Sequence, residues 1–359
     1  MNRIDNFNAG PSALPLSVLQ KAQKELLNFH NSGMSVMELS HRSKTYDFVH
    51  RKAQELLREL MNIPDTHEVL FLQGGASLQF AMIPYNFLSN DEVGYYSLTG
   101  SWSEKALKEA QTIGNAHILN SSKDRTYSYI PSWEDPVDDR CAYVHITSNN
   151  TIYGTQWQQF PNTKKPLIAD MSSDILSRQL DIEKFDLIYA GAQKNLGPSG
   201  VTVVIIRKEF LQKANHSLPT YLSYHTHAEK NSLFNTPPTF AIYMLSLVLE
   251  WVKEEGGLST IEERNERKAS MLYDVIDSSN HFYRGHAEGN SRSRMNVTFT
   301  LPSAELTKVF LTEAQENGFV GLSGHRSIGG CRASIYNAVS EQSCERLAAF
   351  MKKFQHQHG

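Results

Sequence analysis

The chain has 359 residues, 40% of them hydrophobic and 20% charged, a composition typical of a globular protein long enough for two domains. A formal net charge of −3 argues against the basic surface that nucleic-acid binding needs. Three widely spaced cysteines, Cys141, Cys331 and Cys344, form neither a disulfide framework nor a zinc-ligand pattern. Because the first residues lack the apolar run of a signal peptide and the most apolar helix pattern, AIYMLSLVLEWV, is too short to span a membrane, we expect a cytoplasmic protein.

The first two thirds of the chain alternate helical patterns with short apolar runs. A helix is predicted over 45–63, TYDFVHRKAQELLRELMNI, where apolar residues recur on one helical stripe. Six runs then predict strands: EVLFLQ, VGYYSL, CAYVHITS, KPLIAD, FDLIYA and VTVVII. Because these runs are continuously apolar, they are typical of strands buried on both faces of a mostly parallel sheet. Helix patterns such as SWSEKALKEAQTIG separate several of them, as βαβ units require.

A charged helix pattern, LSTIEERNERKASMLYDVIDSS, leads out of this region into a different arrangement. The strand RMNVTFTL, the helix SAELTKVFLTEAQENG, the strand CRASIYN and the helix CERLAAFMKKFQHQ then follow one another. We therefore predict an α/β protein whose large domain, residues 16–255, contains a mostly parallel sheet of the seven-stranded type. A small α+β domain would comprise residues 256–359, with residues 1–15 packing near it. We expect the active site between the two domains.

The loops after the predicted strands contain the residues that could carry chemistry, since open α/β sheets bind ligands beyond the carboxyl ends of their strands. Asp170 ends KPLIAD, Lys194 follows FDLIYA and Trp102 follows VGYYSL. The turn Gly74-Gly75 opens a helix whose free backbone N–H groups would suit a phosphate. Taken singly, these features have ordinary explanations: a solvated lysine, a helix cap, a core tryptophan and a strand-to-helix turn.

Taken together, these features match the requirements of pyridoxal 5′-phosphate. That cofactor needs a lysine for a Schiff base, an acid for its pyridine nitrogen, an aromatic side chain for its ring and a helix start for its phosphate. A close apolar setting would lower the pKa of Lys194 and make its amine a usable nucleophile. Two His-Arg pairs and a third arginine suit carboxylate and phosphate groups. These residues are His41, Arg42, His325, Arg326 and Arg332.

Six strings spread over nearly the whole chain resemble the phosphoserine aminotransferases, which are fold-type I enzymes that use pyridoxal phosphate. The strings are FNAGPSALP, SHRSK, TGSWS, ADMSSDILSR, AGAQKNLGPSG and HRSIGGCRASIYNA. The resemblance implies that Lys194 forms the Schiff base and then shuttles the substrate proton. It also implies that Asp170 pairs with the pyridinium nitrogen, that Trp102 stacks on the ring and that Thr151 bonds the ring hydroxyl.

The resemblance also assigns the residues that hold the cofactor phosphate. Ala76, Ser77 and Gln193 would bind it, the first two chiefly through backbone N–H groups. Asn235 and Thr236 resemble a pair that reaches the phosphate from the partner subunit, so the resemblance implies a homodimer. Some family members have an arginine where this chain has Ser77, and here the phosphate charge must be balanced elsewhere.

Substrate binding falls to the cationic residues. The resemblance implies that Arg332 holds the α-carboxylate, while His41, Arg42, His325 and Arg326 receive the substrate phosphate or the glutamate side-chain carboxylate. In the implied ping-pong reaction, L-glutamate leaves as 2-oxoglutarate and 3-phosphohydroxypyruvate becomes O-phospho-L-serine, a step of serine biosynthesis. A phosphorylated four-carbon keto acid of vitamin B6 biosynthesis is a further substrate that the resemblance suggests.

Three alternatives remain open from the sequence. A lyase of the cysteine desulfurase type would need a reactive thiol, and Cys331 is the candidate, although it alternates along a strand with Arg332 and so points to the other face. A dehydrogenase could use the Gly74-Gly75 turn, although the turn lacks the spacing G-x-G-x-x-G. A protein that binds the cofactor without catalysis is the third alternative, and the complete set of lysine, acid and arginines argues against it.

Overall fold

The computed structural model describes residues 3–136 and 138–359. The strands are β1 (Asp5–Asn6), β2 (His67–Leu72), β3 (Val93–Leu98), β4 (Ala116–Ser121), β5 (Cys141–Thr147), β6 (Asn149–Asn150), β7 (Thr155–Gln156), β8 (Leu167–Asp170), β9 (Leu187–Gly191), β10 (Thr202–Arg207), β11 (Arg284–Gly285), β12 (Asn296–Thr300), β13 (Phe319–Val320) and β14 (Cys331–Ser334). The α-helices are α1 (Leu16–Glu25), α2 (Lys44–Met61), α3 (Gly75–Phe87), α4 (Ser101–Gln111), α5 (Lys208–Leu211), α6 (Tyr224–Glu229), α7 (Thr239–Glu254), α8 (Gly257–Asp277), α9 (Ala304–Glu316) and α10 (Glu341–His358).

A seven-stranded sheet with the order β2-β10-β9-β8-β5-β3-β4 forms the centre of the molecule. Neighbouring strands are parallel except at β10, which runs antiparallel to both β2 and β9. The mostly parallel sheet expected from the apolar runs is therefore confirmed, and each of the six predicted strands is present. The seventh strand, β4, was not predicted because it lies at the sheet edge, is half exposed, and mixes polar His117 and Asn120 with its apolar residues.

Both faces of this sheet are covered by helices, which explains the continuous apolar runs. Successive residues of β2, Val69 and Leu70, belong to different clusters of buried side chains on opposite faces. The first cluster packs against α2 and α7, and the second packs against α3 and α4. Helix α2 begins after Ser43, whose hydroxyl accepts a hydrogen bond from the Tyr46 N–H, and ends at Asn62 in the left-handed conformation.

A smaller antiparallel sheet with the order β11-β12-β14 packs with α8, α9 and α10 around a third cluster. Phe7 and Ala13 of the N-terminal segment also belong to this cluster. Helix α8 joins the two regions, since its Leu258 packs in the first cluster of the large sheet and its Leu272 in the third cluster. The predicted domain limits, 16–255 and 256–359, stay a prediction.

Membrane insertion has no candidate segment among the residues described. No helix in that part of the chain is long and apolar enough to cross a bilayer.

Candidate active site

A cleft of about 140 Å³ opens where β5, β8 and β9 end at their carboxyl termini. The cofactor-binding residues that we predict within one chain all line it, namely Ala76, Ser77, Trp102, Thr151, Asp170, Gln193 and Lys194. They come from separate loops, which the parallel strands bring to one edge of the sheet. A larger groove of about 490 Å³, with Lys164, Asp186 and Arg207 on its walls, contains none of the predicted site residues.

Lys194 lies in the loop that follows β9, and the N-terminal segment holds that loop in place. Ser12 donates its backbone N–H to the Gln193 carbonyl at 3.0 Å and its hydroxyl to the Lys194 carbonyl at 2.6 Å. The Lys194 Nζ donates to the Thr151 Oγ1 at 2.7 Å. The pKa of Lys194 is lowered to about 8, chiefly by burial; the charge of Asp170 opposes this shift and that of Arg332 adds to it. The amine is therefore available in its nucleophilic, neutral form close to physiological pH.

Asp170 ends β8, and its carboxylate is oriented by the residue two positions later. Ser172 donates both its backbone N–H, at 2.9 Å, and its hydroxyl, at 2.6 Å, to the Asp170 Oδ1. Both bonds reach Oδ1, and the Tyr189 hydroxyl also interacts with the carboxylate and lowers its pKa. Burial raises the pKa of Asp170, and the Ser172 bonds and the Lys194 charge oppose that rise. A buried carboxylate of this kind suits a protonated ring nitrogen as its partner.

Trp102 lies in the first turn of α4 and forms a flat wall of the cleft. Its ring centroid is 5.9 Å from the Lys194 Nζ and 4.3 Å from the Lys105 Nζ. The indole Nε1 is buried and has no hydrogen-bond partner among the described residues. A buried N–H without an acceptor is costly, so a ligand that offers an oxygen here would satisfy it.

The start of α3 supplies backbone N–H groups to the same cleft. Gly74 and Gly75 have φ values of +85° and +65°, a region that favours glycine. A Cβ on Gly74 would also lie 2.6 Å from side-chain atoms of Leu78. Since Leu78 is the residue whose N–H bonds back to the Gly74 carbonyl, the N–H groups of Gly75, Ala76 and Ser77 are the free ones of the first turn. Such a helix start suits a phosphate group.

These observations together test whether the cleft fits pyridoxal phosphate. It offers a lysine amine with a lowered pKa, a buried carboxylate, an unpartnered indole N–H on a flat wall and a helix start with free N–H groups. Each feature matches one part of the cofactor: the carbonyl carbon, the ring nitrogen, the ring and the phosphate. The residues present therefore fit the group.

Arg332, on β14 in the smaller sheet, does not line the cleft but is bound to Thr151, a residue that does. Its Nη1 donates to the Thr151 carbonyl at 3.2 Å, and its buried Nε has no partner among the residues described. The guanidinium therefore keeps donors for a carboxylate. Cys331, the preceding residue, is 1% exposed in the third cluster, and burial raises the pKa of its thiol to about 12. A thiol so placed cannot attack a substrate in the cleft, which removes the basis for a desulfurase.

His325 and Arg326 lie in the loop before β14 and do not line the cleft, but His325 is close enough to Arg332 and Lys105 for their charges to act on it. We call these four residues the rim. The His325 Nδ1 is 2.7 Å from the Ser327 hydroxyl. Burial lowers the pKa of His325, and the positive charges of Arg332, Arg326 and Lys105 lower it further. The rim therefore has a positive potential that suits an anionic substrate group.

The remaining predicted residues lie elsewhere on the single chain. His41 and the exposed Arg42 precede α2, and neither lines the cleft. Asn235 and Thr236 lie in the segment before α7, where the Thr236 carbonyl accepts a bond from the Gln73 side chain at 3.2 Å. Neither of these two lines the cleft either. Their roles stay predictions.

Three residues that position groups of the candidate active site were not predicted from the sequence as individual site residues. Ser12 holds the Lys194 loop, Ser172 orients Asp170, and Lys105 lies over the Trp102 ring. Ser12 and Ser172 lie within strings that carried the resemblance, FNAGPSALP and ADMSSDILSR, which is the signal that could have identified them. Lys105 lies three residues after Trp102 on one helix, a spacing that places both on one face.

Comparison with known proteins places the chain in a well-defined group. The family model for class-V aminotransferases matches residues 4–347. A phosphoserine aminotransferase of Geobacillus kaustophilus is 66% identical over 359 residues, which cover 99% of both chains, and that of Bacillus subtilis is 63% identical with full coverage of both. The solved structure of a pyridoxal-phosphate-bound phosphoserine aminotransferase from Trichomonas vaginalis has a TM-score of 0.92 at 38% identity, covering 98% of this chain and 100% of that one. The predicted fold, that of the pyridoxal-phosphate-dependent transferases, is confirmed.

Proposed function

The chain belongs to the class-V aminotransferase family, and from this we propose that it transfers the amino group of L-glutamate to 3-phosphohydroxypyruvate, giving 2-oxoglutarate and O-phospho-L-serine for serine biosynthesis. Its cofactor is pyridoxal 5′-phosphate. The observation that carries this function is the cleft lined by Lys194 and Asp170, beside which the Arg332 guanidinium is bound to the carbonyl of the lining residue Thr151. The relatives named phosphoserine aminotransferase supply the substrate class.

When bound, pyridoxal phosphate supplies an electron sink for the carbanion at the substrate Cα and stores the amino group between the two half-reactions. Lys194 would hold the cofactor and then move a proton to and from the substrate Cα, for which a neutral amine with a pKa of about 8 is suited. The Thr151 hydroxyl, 2.7 Å from the Lys194 Nζ, would fix the direction of that amine.

Asp170 and Trp102 would set the electronic and steric environment of the cofactor ring. The carboxylate of Asp170 would keep a proton on the ring nitrogen, which strengthens the pull on electrons from the substrate. The Trp102 ring would cover one face and exclude water from it. The N–H groups at the start of α3, with Ala76, Ser77 and Gln193, would hold the cofactor phosphate.

Arg332 would bind the substrate α-carboxylate through its unpartnered donors. At the other end of the substrate, His325 and Arg326 would receive either the phosphate or the glutamate side-chain carboxylate. One cationic rim can accept both substrates because both end in an anionic oxygen group.

The protein would act as a homodimer in which each subunit completes the site of the other. His41, Arg42, Asn235 and Thr236 do not line the cleft of their own chain, and, unlike Arg332, none of them has a hydrogen bond to a described residue that lines it, which supports their action from the partner subunit. Large apolar side chains near these residues are also exposed on the single chain, an arrangement that favours an interface. They are Met34, Met37, Phe48 and Phe234, with exposures of 43%, 54%, 48% and 43%.

The cytoplasm is the proposed location. The thiols of Cys331 and Cys344 are buried and free, and Cys141 is also unpaired. A reducing compartment keeps such thiols in that form.

An absorbance experiment tests the proposed function. We expect the purified protein to absorb in the near-visible range and L-glutamate to change that band within seconds, with O-phospho-L-serine doing the same. Lys194→Ala should still bind cofactor through the phosphate and ring contacts but turn over neither amino acid, because the amine that moves the proton is missing. A Lys353→Ala protein, changed at an exposed lysine of α10, is the control and should behave as wild type.

The outcomes separate the alternatives. Protein that takes up no pyridoxal phosphate would refute the mechanism as a whole. Protein that takes it up, but whose band neither amino acid changes, would point to a binding protein without catalysis.

A further inference from the structure

A second lysine is buried as completely as any apolar core residue and takes no part in the chemistry described above. Lys268 lies in α8 and is 0% exposed. Its Nζ donates to three backbone carbonyls, those of Ile335 at 2.9 Å, Tyr336 at 2.8 Å and Val339 at 3.0 Å. An ammonium group has three N–H donors, and these three carbonyls use all of them.

This arrangement is a costly way to fill a core position. The partners of Lys268 are neutral carbonyl oxygens, and burial lowers the pKa of the amine to about 8. A methionine would occupy a similar volume without desolvating a charge, but it would leave three buried carbonyls unpaired, so the lysine serves the carbonyls of one particular turn rather than the packing of the core. The position therefore indicates a task other than stability alone.

The three carbonyls belong to the turn over residues 335–339, which continues directly from β14. That strand carries Arg332, the arginine bound to the cleft residue Thr151. In the middle of the turn, the Asn337 backbone N–H donates to the Asn195 Oδ1 at 3.0 Å. Asn195 directly follows Lys194 in the chain. The turn over residues 335–339 is therefore connected both to the strand that carries Arg332 and to the loop that carries Lys194.

A second side chain of α8, that of Asn265, binds the same turn from a position about one helical turn before Lys268. The Asn265 Nδ2 donates to the Asn337 Oδ1 at 2.9 Å and to the Ser177 carbonyl at 3.0 Å. Asn337 in turn donates to the Leu176 carbonyl at 2.9 Å. We call Asn195, Asn265, Lys268 and Asn337 the buried clamp; their exposures are 5%, 1%, 0% and 3%.

We propose that the buried clamp, anchored by the Lys268 ammonium, fixes the position of Arg332 relative to Lys194 and so sets how tightly the cleft binds the carboxylate of its substrate. This inference rests on the proposed function, because it assigns the carboxylate to Arg332. Lys268 is a positioning residue: it touches neither substrate nor cofactor and acts through the turn over residues 335–339. Directional hydrogen bonds to three carbonyls fix the path of that turn, which apolar packing alone would leave free to slide.

The test compares two variants of the cofactor-loaded enzyme. Lys268→Met removes the three donors and keeps the volume of the side chain. Phe350→Leu loosens the third cluster through aromatic contacts with Phe310, Phe319 and Phe354, none of which belongs to the buried clamp or to the turn over residues 335–339. The melting temperature of each variant measures its loss of stability. Binding is then compared at temperatures that lie equally far below the two melting temperatures.

The readout is the dissociation constant of glutarate, a dicarboxylate that has no amino group to transfer, measured by isothermal titration calorimetry. We expect Lys268→Met to weaken glutarate binding and to raise the KM for L-glutamate, each by about tenfold, with a smaller change in kcat. Phe350→Leu should leave both constants at the wild-type value. Equal changes in the two variants, or unchanged glutarate binding in Lys268→Met, would overturn the proposal.

Two further variants cover the case in which Lys268→Met does not fold. Lys268→Gln keeps donors on a shorter side chain, and Asn265→Ala removes the second hold on the turn without touching the lysine. Each should weaken glutarate binding by a smaller factor, and wild-type affinity in both would overturn the proposal. Failure of the wild-type enzyme to bind glutarate or to turn over L-glutamate would instead count against the proposed function.

Discussion

At the scale of single residues, burial decides the chemistry of the candidate active site. Asp170 is the last residue of β8 and Lys194 lies in the loop after β9 of the same sheet, and burial disfavours the charged form of each. The pKa of the lysine falls and that of the acid rises. The protein environment, and not the residue type alone, therefore sets the pKa of each group.

The lowered pKa of Lys194 predicts a pH-dependent gain in stability when the amine is removed. A lysine titrates at about 10.5 in the unfolded chain and at about 8 here, so the folded state binds fewer protons between those values. The resulting penalty is fully present below pH 8 and fades as the pH rises toward 10.5. We therefore expect Lys194→Met to raise the melting temperature of the cofactor-free protein by roughly 2–4 °C at pH 7, and by less at pH 10.

Thermal melts of cofactor-free protein across this pH range provide the measurement. Lys353→Met, at an exposed position of α10, is the control and should melt as wild type at each pH. If the melting temperature of Lys194→Met is not raised at pH 7, or if the increase does not become smaller as the pH rises, the Lys194 amine is not desolvated as assigned.

At the scale of elements, the decisive feature is where helices and strands begin and end. The residues of the cleft come from turns after β3, β5, β8 and β9 and from the start of α3. Most of these elements were predictable because buried parallel strands have continuous apolar runs. The edge strand β4 and the reversed direction of β10 were not, since neither partial exposure nor strand direction leaves a mark on hydrophobicity.

The start of α3 allows a prediction with a matched control. Gly75 lines the cleft with a φ of +65°, and Gly33 lies in a loop with a φ of +73°; a Cβ on either would meet nothing within 4 Å. Alanine at either position costs about 1 kcal/mol through backbone strain alone. Only Gly75→Ala shifts N–H groups that face the cleft, so it alone should weaken pyridoxal phosphate binding, by about tenfold.

Fluorescence or absorbance titration of the cofactor-free variants with pyridoxal phosphate measures this difference. Equal affinity in the Gly75→Ala and Gly33→Ala proteins would show that the helix start does not hold the phosphate.

At the scale of the whole molecule, the question is whether one chain contains the complete active site or whether a second subunit contributes to it. One chain brings a lysine, an acid and a tryptophan into the cleft and an arginine into contact with its wall, but leaves His41, Arg42, Asn235 and Thr236 without a place in its lining. Symmetric dimers commonly build such sites from both subunits.

Mixing two inactive variants tests whether the subunits share their sites. In a hybrid of Lys194→Ala and Arg42→Ala subunits, one of the two sites would combine an intact Lys194 with an intact Arg42 from the other subunit. Random reassociation of equal amounts should therefore restore about a quarter of the wild-type activity. Each variant denatured and refolded alone is the control and should stay inactive. If Arg42 serves its own subunit, the mixture will remain inactive as well.

The sequence by itself determined the fold class and the family, and it predicted seven residues that the structure brings together in the lining of one cleft. It could do so because buried strands, glycine-rich turns and chemically specific strings such as AGAQKN are local features of the chain. The pairing of Lys194 with Thr151, the hold of Ser172 on Asp170 and the buried clamp around Lys268 were decided only by the tertiary structure. These contacts join residues from separate loops or depend on the depth of burial, and both arise only when the chain packs against itself.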